Sequence, residues 1–507
     1  MRAPPTRREI WLCFALVAGL TLGVGLRGRL VELHVDWDGL AAVAHAHDVH
    51  RMEPATNLAM IGFVQPPLPA LLQLPLVLVA PWLATSGVAA NLQGALVAGV
   101  AAALLLGLAA EAGLGRGWRW PLVAAFALHP MVLGPASSGA PLALLTALLL
   151  GVCWALMRWA RTQSLRDLIA ASVVLAAALI TRYESAFIVL GAMVYLAWRT
   201  RRAGGSWSRL EGTMITFALP VVYVAGIWII ANWAIMGDPW HFARESFAAA
   251  QADAAQMLSA SLRVALVCFF PILALVYNQM RGAGRYPAPA RPAAWLVVTA
   301  IAAPVAFPAL FAGLAEDSDW SRLLSVAAMS LAGGFAGLAA LLGEALRGRT
   351  RGPMQGTVVM AAASLGVVLW LSGQGAALPG RFADAYLGRG PLSDSAEDEL
   401  AAARLLRATD LPPQRRHIIA GWPGFAVVLF ADRTGQVAVV QLADLTREVE
   451  TLGVGSRLIV LVGAREGGLP EPVVEAGLPL RAGLELQRRW QAGPWECFEV
   501  KPGEGQR

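Results

Sequence analysis

Residues 10–26 read Ile-Trp-Leu-Cys-Phe-Ala-Leu-Val-Ala-Gly-Leu-Thr-Leu-Gly-Val-Gly-Leu, one apolar run behind Arg2, Arg7 and Arg8 and ahead of Arg27. Its length falls in the roughly 17–25 residues that cross about 30 Å of hydrocarbon. Basic residues before such a run also open secretory signals. No small-residue cleavage site precedes Arg27, so the sequence predicts an uncleaved anchor. The rest of the 507 residues agrees with a lipid environment: 57% are hydrophobic and 15% charged, with a mean hydropathy of +0.57. An ordinary soluble domain carries about 25% charged residues.

Further apolar runs follow at Leu68–Leu83, Gly87–Ala110, Trp120–Leu133, Pro141–Met157, Leu168–Ile180 and Ser185–Trp198. Thr213–Ala234, Leu258–Tyr277, Ala294–Leu314, Leu323–Leu342 and Met354–Leu371 complete the set. Arginine sets the orientation, because cytoplasmic loops retain it. It gathers at Arg116 and Arg119, at Arg158, Arg161 and Arg166, and at Arg199, Arg201, Arg202 and Arg209. Arg281, Arg285 and Arg291 follow, then Arg347, Arg349 and Arg351. The loops between these groups are acidic or mixed. With the N-terminus inside, only one of Leu68–Leu83 and Gly87–Ala110 can cross back. Leu68–Leu83 follows Pro66-Pro67 and contains Pro69, Pro75 and Pro81, so it is expected to lie in the outer interface or re-enter. That leaves about eleven transmembrane helices.

The predicted fold class is therefore a polytopic α-helical membrane protein with a small C-terminal α/β extracytoplasmic domain, in a bacterial-type inner membrane. Residues 1–372 form the transmembrane domain, with 27–86 as the first outer loop and its interfacial helices. Residues 373–507 form the soluble domain. In it Ser393–Thr409 reads as an amphipathic helix with acids in its first turn. His417–Ala420, Phe425–Phe430, Val437–Leu442, Arg457–Val462 and Trp495–Val500 read as strands. The net charge of +6 rests almost wholly on arginine, Lys501 being the one lysine. Membrane topology accounts for it, and no nucleic-acid partner is expected. Cys13, Cys153, Cys268 and Cys497 show no paired spacing, so neither a disulfide framework nor a zinc site is implied.

Ionisable residues held against the membrane point to chemistry. The first outer loop is the richest stretch: His34-Val-Asp36-Trp-Asp38-Gly39, then His45, His47, Asp48, His50, Arg51 and Glu53. A carboxylate there loses solvation, and its pKa moves from about 4 toward the range useful to a general base. The competing reading makes Asp36 and Asp38 solvated loop residues or helix caps, because Asp38-Gly39 can open a helix. His47 and His50 share a helix face, with Asp48 nearby as a third candidate metal ligand. Their spacing matches no standard zinc motif, and a polar interfacial helix explains them at less cost, so a divalent metal is not expected. Arg182 and Arg322 stand at outer span ends beside aromatics, in Thr181-Arg182-Tyr183-Glu184 and Asp319-Trp320-Ser321-Arg322. Their planar forks suit a lipid phosphate. Snorkelling to headgroups, or a local pair between Arg182 and Glu184, would explain them equally.

Taken in order, these segments resemble the GT-C superfamily of membrane glycosyltransferases, which includes the protein O-mannosyltransferases and the aminoarabinose transferases. Asp36-Trp37-Asp38-Gly39 stands after the first span, and Gln65-Pro66-Pro67-Leu68 resembles the segment that opens an interfacial helix in that family. Ala178-Leu-Ile-Thr-Arg182-Tyr183-Glu184 is similar to its "LTRYE". Asn232 to Phe242 is similar to its "N-x-x-x-x-G-D-P-x-x-F", and Asp319-Trp-Ser-Arg322-Leu-Leu324 occupies the place of an arginine-bearing element. The resemblance implies an inverting transferase whose donor is a polyprenyl-phosphate sugar and whose acceptor is a hydroxyl of protein, lipid or glycan. It implies Asp38 as the base by register, with Asp36 beside it, and Arg182, Arg322 and Tyr183 at the donor phosphate. One departure stands out. The turn before the fourth crossing, where many relatives carry a carboxylate, reads Ser137-Ser138-Gly139-Ala140-Pro141. That favours a second expectation, a noncatalytic scaffold or assembly partner of the cell envelope. A transporter is disfavoured by the lack of an inverted repeat.

Overall fold

A computed structural model describes residues 4–51, 61–63, 65–248, 290–306, 319–344, 386–387, 393–420, 423–440, 445–462, 480 and 483–503. The expected spans Leu258–Tyr277 and Met354–Leu371 lie outside the described residues, as do Glu53 and Cys268. The chain divides into two compact units. The first comprises Met1–Gly28, Gly62–Pro69 and Asn91–Leu392. The second comprises Arg29–Ile61, Ala70–Ala90 and Ser393–Arg507.

Helix α1 (Arg7–Leu30) opens with a reciprocal cap. The Thr6 N–H donates to Glu9 Oε2 at 2.8 Å, and the Glu9 N–H donates to Thr6 Oγ1 at 3.2 Å. The pairing satisfies two of the donors that every helix N-terminus leaves open. After it come β1 (His34–Asp36), α2 (Trp37–Arg51), α3 (Leu68–Val79) and α4 (Pro81–Thr85). Then follow α5 (Val88–Glu111), α6 (Arg116–Ala127), α7 (Pro130–Ser138), α8 (Pro141–Thr162) and α9 (Leu165–Leu179). The first unit continues through α10 (Ser185–Arg202), α11 (Trp207–Met236), α12 (His241–Ala248), α13 (Ala290–Ala306) and α14 (Asp319–Glu344).

Among the described residues five helical segments are long and apolar enough to cross a bilayer: Arg7–Leu30, Val88–Glu111, Pro141–Thr162, Trp207–Met236 and Ser325–Gly343. A bent pair, Arg116–Ala127 with Pro130–Ser138, makes a sixth if it is one span. Leu12, Leu16 and Leu20 of α1 and Leu219, Val222, Ile227 and Ile230 of α11 stay exposed along their helices. Such continuous apolar stripes need lipid to cover them. The chain is a polytopic membrane protein.

Leu68–Leu83 does not form one spanning helix. Helix α3 has 12 residues, about 18 Å at 1.5 Å per residue and too short for the hydrocarbon core. Pro81 then starts α4 as a separate piece. The expected Trp120–Leu133 run is corrected: it breaks between α6 and α7 with a bend of 61°. Pro130 is the cause. It holds His129 in an extended conformation (φ −64°, ψ 128°) and begins α7 afresh. Gly139 closes α7 at φ 85°, in the left-handed region where glycine carries no Cβ penalty.

The small residues Ala90, Gly94 and Ala98 of α5 are packing positions. A Cβ on Gly94 would collide with the Ala136 carbonyl oxygen of α7. Gly94→Ala is therefore expected to destabilise the protein by about 1–3 kcal/mol through forced separation of α5 and α7. Thermal unfolding of the detergent-solubilised protein beside Gly117→Ala, whose site is open, is the check.

In the second unit β1 pairs antiparallel with β2 (Ser393–Ser395), Asp36 opposite Ser393. Next come α15 (Glu397–Ala408), β3 (His417–Ala420), α16 (Gly424–Ala431), β4 (Val437–Val440), α17 (Leu445–Val449) and β5 (Arg457–Leu461). Strands β6 (Leu484–Ala492) and β7 (Trp495–Pro502) end the chain. The five-stranded sheet runs β4-β3-β5-β7-β6, parallel at β4-β3-β5 and antiparallel beyond. Strands β3 and β5 are buried on both faces: Ile419, Ile459 and Leu461 on the α15–α16 side, Ile418, Leu458 and Val460 on the other. That double burial is why they read as unbroken apolar runs. Phe425–Phe430, expected as a strand, lies inside helix α16. The front of the expected Ser393–Thr409 helix is β2. Residues 441–444 of the expected Val437–Leu442 strand lie outside the described residues.

Candidate functional site

The Asp36–Asp38 pair sits where β1 turns into α2. Asp36 ends the strand and is 1% exposed. Its Oδ1 accepts the Gly39 N–H at 3.0 Å, which makes it the side-chain cap of α2. Asp38 is half-buried in the first turn of the same helix. A carboxylate there is favoured by the positive end of the helix dipole. Strand pairing with β2 on one side and capping on the other hold this corner, so both acids are carried on a fixed backbone.

Farther along α2 the histidines separate. His47 is fully buried, while His50 is exposed. His47 Nδ1 lies 3.2 Å from Thr434 Oγ1, and its Nε2 lies 3.6 Å from Asp432 Oδ1. Arg51 reaches the same Asp432 at 3.2 Å. Among the described residues no three His, Cys, Asp or Glu side chains converge as metal ligands. The polar stretch of α2 instead fastens the helix to the loop after α16.

Two titrations follow. Burial pushes the Asp48 carboxyl up to about 7, against the Thr434 hydroxyl, which pulls it down. Burial also pushes His47 below its ordinary value, opposed by Asp432. The raised Asp48 value means that the folded protein binds the proton more tightly than the unfolded chain, so stability falls as pH rises from about 4 through 7. The lowered His47 value costs stability below its unfolded pKa of about 6.5. On going from pH 8 to 6.5 protonation of Asp48 is expected to add about 1 kcal/mol, offset in part by His47, an increment absent from Asp48→Asn. Denaturant unfolding at the two pH values tests it.

In the first unit, the Thr181–Glu184 turn joins α9 to α10. Arg182 is 4% exposed and Glu184 1%. Arg182 Nε donates to Glu184 Oε1 at 3.4 Å, and the same oxygen accepts the Ser325 hydroxyl of α14 at 2.7 Å. Glu184 therefore ties the Arg182 turn to the helix whose first turn carries Arg322; the Arg322 side chain lies outside the described residues. The Tyr183 hydroxyl accepts from Trp228 Nε1 of α11 at 3.0 Å. Trp228 stacks on Phe63, with centroids 5.1 Å apart and planes 3° apart. Phe242 of α12 packs 5.0 Å from the Tyr183 ring. The Leu68 N–H donates to the Ile180 carbonyl at 2.9 Å, which anchors the Pro66-Pro67 segment to the same turn.

Three stretches singled out in the sequence, the turn at 181–184, the segment ending in Phe242 and the run from Gln65, thus meet in one place. Sequence reasoning missed Trp228, Phe63 and Ser325. Trp228 is one helical turn before Asn232 and its carbonyl accepts from Asn232 Nδ2 at 2.9 Å, so the start of that segment was the available signal.

No protein-family model and no curated protein sequence matches this chain. Solved structures do. ArnT from Cupriavidus metallidurans bound to undecaprenyl phosphate superposes with a TM-score of 0.56 at 14% identity, over 97% of this chain and 98% of that one. The arabinofuranosyltransferase AftD from Mycobacteria gives 0.52 at 17% identity, over 99% of this chain and 40% of that one. The apo oligosaccharyltransferase of Archaeoglobus fulgidus gives 0.50 at 11% identity, over 85% and 64%. Matched over nearly the whole length of both chains, this chain shares the fold of ArnT, the GT-C fold.

Proposed function

We propose that this protein is an inverting glycosyltransferase that moves a sugar from a polyprenyl-phosphate donor to an acceptor hydroxyl on the outer face of the membrane. The observation that carries the reading is the end-to-end likeness to a structure that holds undecaprenyl phosphate. In this reading the N-terminus is cytoplasmic, about eleven helices span a bacterial-type inner membrane, and residues 373–507 form the extracytoplasmic domain. The acceptor oxygen attacks the anomeric carbon from the face opposite the phosphate. Its proton passes to Asp38, the bond from that carbon to the phosphate oxygen breaks, and the polyprenyl phosphate departs with the electron pair. Arg182 and Arg322 supply positive charge to the departing phosphate, with Tyr183 beside them. Fixed donors in a partly dry site stabilise such charge more than water would. Asp36, already engaged as the helix cap, positions Asp38.

A second reading, a noncatalytic envelope scaffold, is favoured by the turn after α7. Ser137 and Ser138, the last residues of α7, are buried, and no carboxylate stands between them and Pro141. The test is release of radiolabelled sugar from a panel of polyprenyl-phosphate sugars by the purified full-length protein, with envelope extract as acceptor. Turnover supports the transferase. Absence of turnover with every donor sinks it in favour of the scaffold.

A further inference from the structure

Helix α10 carries Arg182's turn at one end and a different polar cluster at the other. The two ends are separated by the 18 residues of the helix, about 27 Å at 1.5 Å per residue. Tyr195, Trp198, Arg199 and Arg202 fall on one helical stripe at three- and four-residue spacing. Tyr195 is 1% exposed, and its hydroxyl has no hydrogen-bond partner among the described residues. The same holds for the buried Arg199 Nε and Thr200 Oγ1. The Arg202 guanidinium lies over the Trp198 ring at 5.3 Å, and Arg291, from the first turn of α13, lies over that ring at 5.6 Å. The Tyr195 ring is 6.3 Å from Trp198.

Two guanidinium groups, 5.3 and 5.6 Å from one indole, make a local excess of positive charge that a bound anion would offset. Among the described residues at this end, Glu111 faces Arg158 and Arg161, Asp167 faces Arg158, and Glu211 on α11 is exposed. Arg201 stacks on Trp207, and Arg209 donates to Gln163. Arginines retained only for topology would reach outward to headgroups. Here the unsatisfied Nε and hydroxyls are buried within the protein. Arginine with a hydroxyl donor is a phosphate-binding set, and basic pockets between transmembrane helices hold anionic headgroups.

We propose that Tyr195, Arg199, Arg202 and Arg291 form a phosphate-binding site at the arginine-rich end of α10 and α13. Its ligand is a phosphate group: the headgroup of an anionic phospholipid, or free phosphate. The site is separate from the one assigned to the sugar donor and does not depend on the transferase reading.

The experiment uses full-length protein in phosphatidylcholine nanodiscs. Thermal unfolding is followed as phosphatidylglycerol replaces phosphatidylcholine and, in a parallel arm, as inorganic phosphate is added. Phosphatidylglycerol is expected to raise the unfolding temperature of the wild type. The half-saturating amount should rise about tenfold in Arg291→Gln and about three- to tenfold in Tyr195→Phe, with Arg116→Gln unchanged. Protection by inorganic phosphate, lost in the same variants, supports the site and names free phosphate as its ligand. No protection by either, or protection that survives both variants, overturns the proposal.

Discussion

Asp38→Asn is expected to lower the kcat of sugar transfer by at least about a hundredfold, the scale of a lost general base, while the donor KM stays within a few-fold. An interaction made only in the transition state shows that split. Asparagine keeps the size of the side chain and its place in the first turn of α2, so a fall in kcat reports the missing proton acceptor. Asp36→Asn still offers an oxygen to the Gly39 N–H and should retain the cap. Asp36→Ala removes it and should cost about 0.5–2 kcal/mol of stability. Steady-state kinetics with a polyprenyl-phosphate sugar, paired with thermal unfolding of each variant, separates the roles. Collapse of turnover in Asp36→Asn with Asp38→Asn active would move the base to Asp36.

The second large effect is on stability. Removing one partner of a buried ion pair leaves a charge uncompensated and costs about 3–5 kcal/mol. Arg182→Gln and Glu184→Gln should each destabilise on that scale, since both side chains are almost wholly buried. The double variant Arg182→Gln/Glu184→Gln should regain most of the loss, because no unpaired charge remains. It should not regain turnover, because the cation for the departing phosphate is still missing. Ser325→Ala removes one neutral donor to the same carboxylate and should cost about 1–3 kcal/mol. Single variants that unfold with the wild type would show that the pair does not hold the turn.

The five long apolar helices and the short α3 were legible in the sequence because length and proline placement decide them. Strands β3 and β5 were legible because burial on both faces writes a continuous apolar run. The same property misled at Phe425–Phe430. A short, wholly buried helix also writes such a run, and periodicity cannot separate the two. Strand β6 was missed because it is an edge strand whose middle reads Gln-Arg-Arg, with charge where an apolar alternation was sought. The break at Pro130 was present in the sequence, but the apolar run on both sides concealed it. At the site, the local Arg182–Glu184 pair could be read from adjacency. Its continuation to Ser325 could not, because that contact joins residues 141 positions apart.

The pairing of β1 with β2 also sets an order of events during synthesis. Asp36 finds its strand partner, Ser393, only after about 360 further residues have been made, roughly 20–70 s at 5–20 residues per second. For that interval the acidic corner has left the ribosome without its partner strand, while the first hydrophobic helix is already available for insertion. An unfinished chain is therefore anchored before its acidic corner is assembled. Synthesis of β2 is the step that completes it.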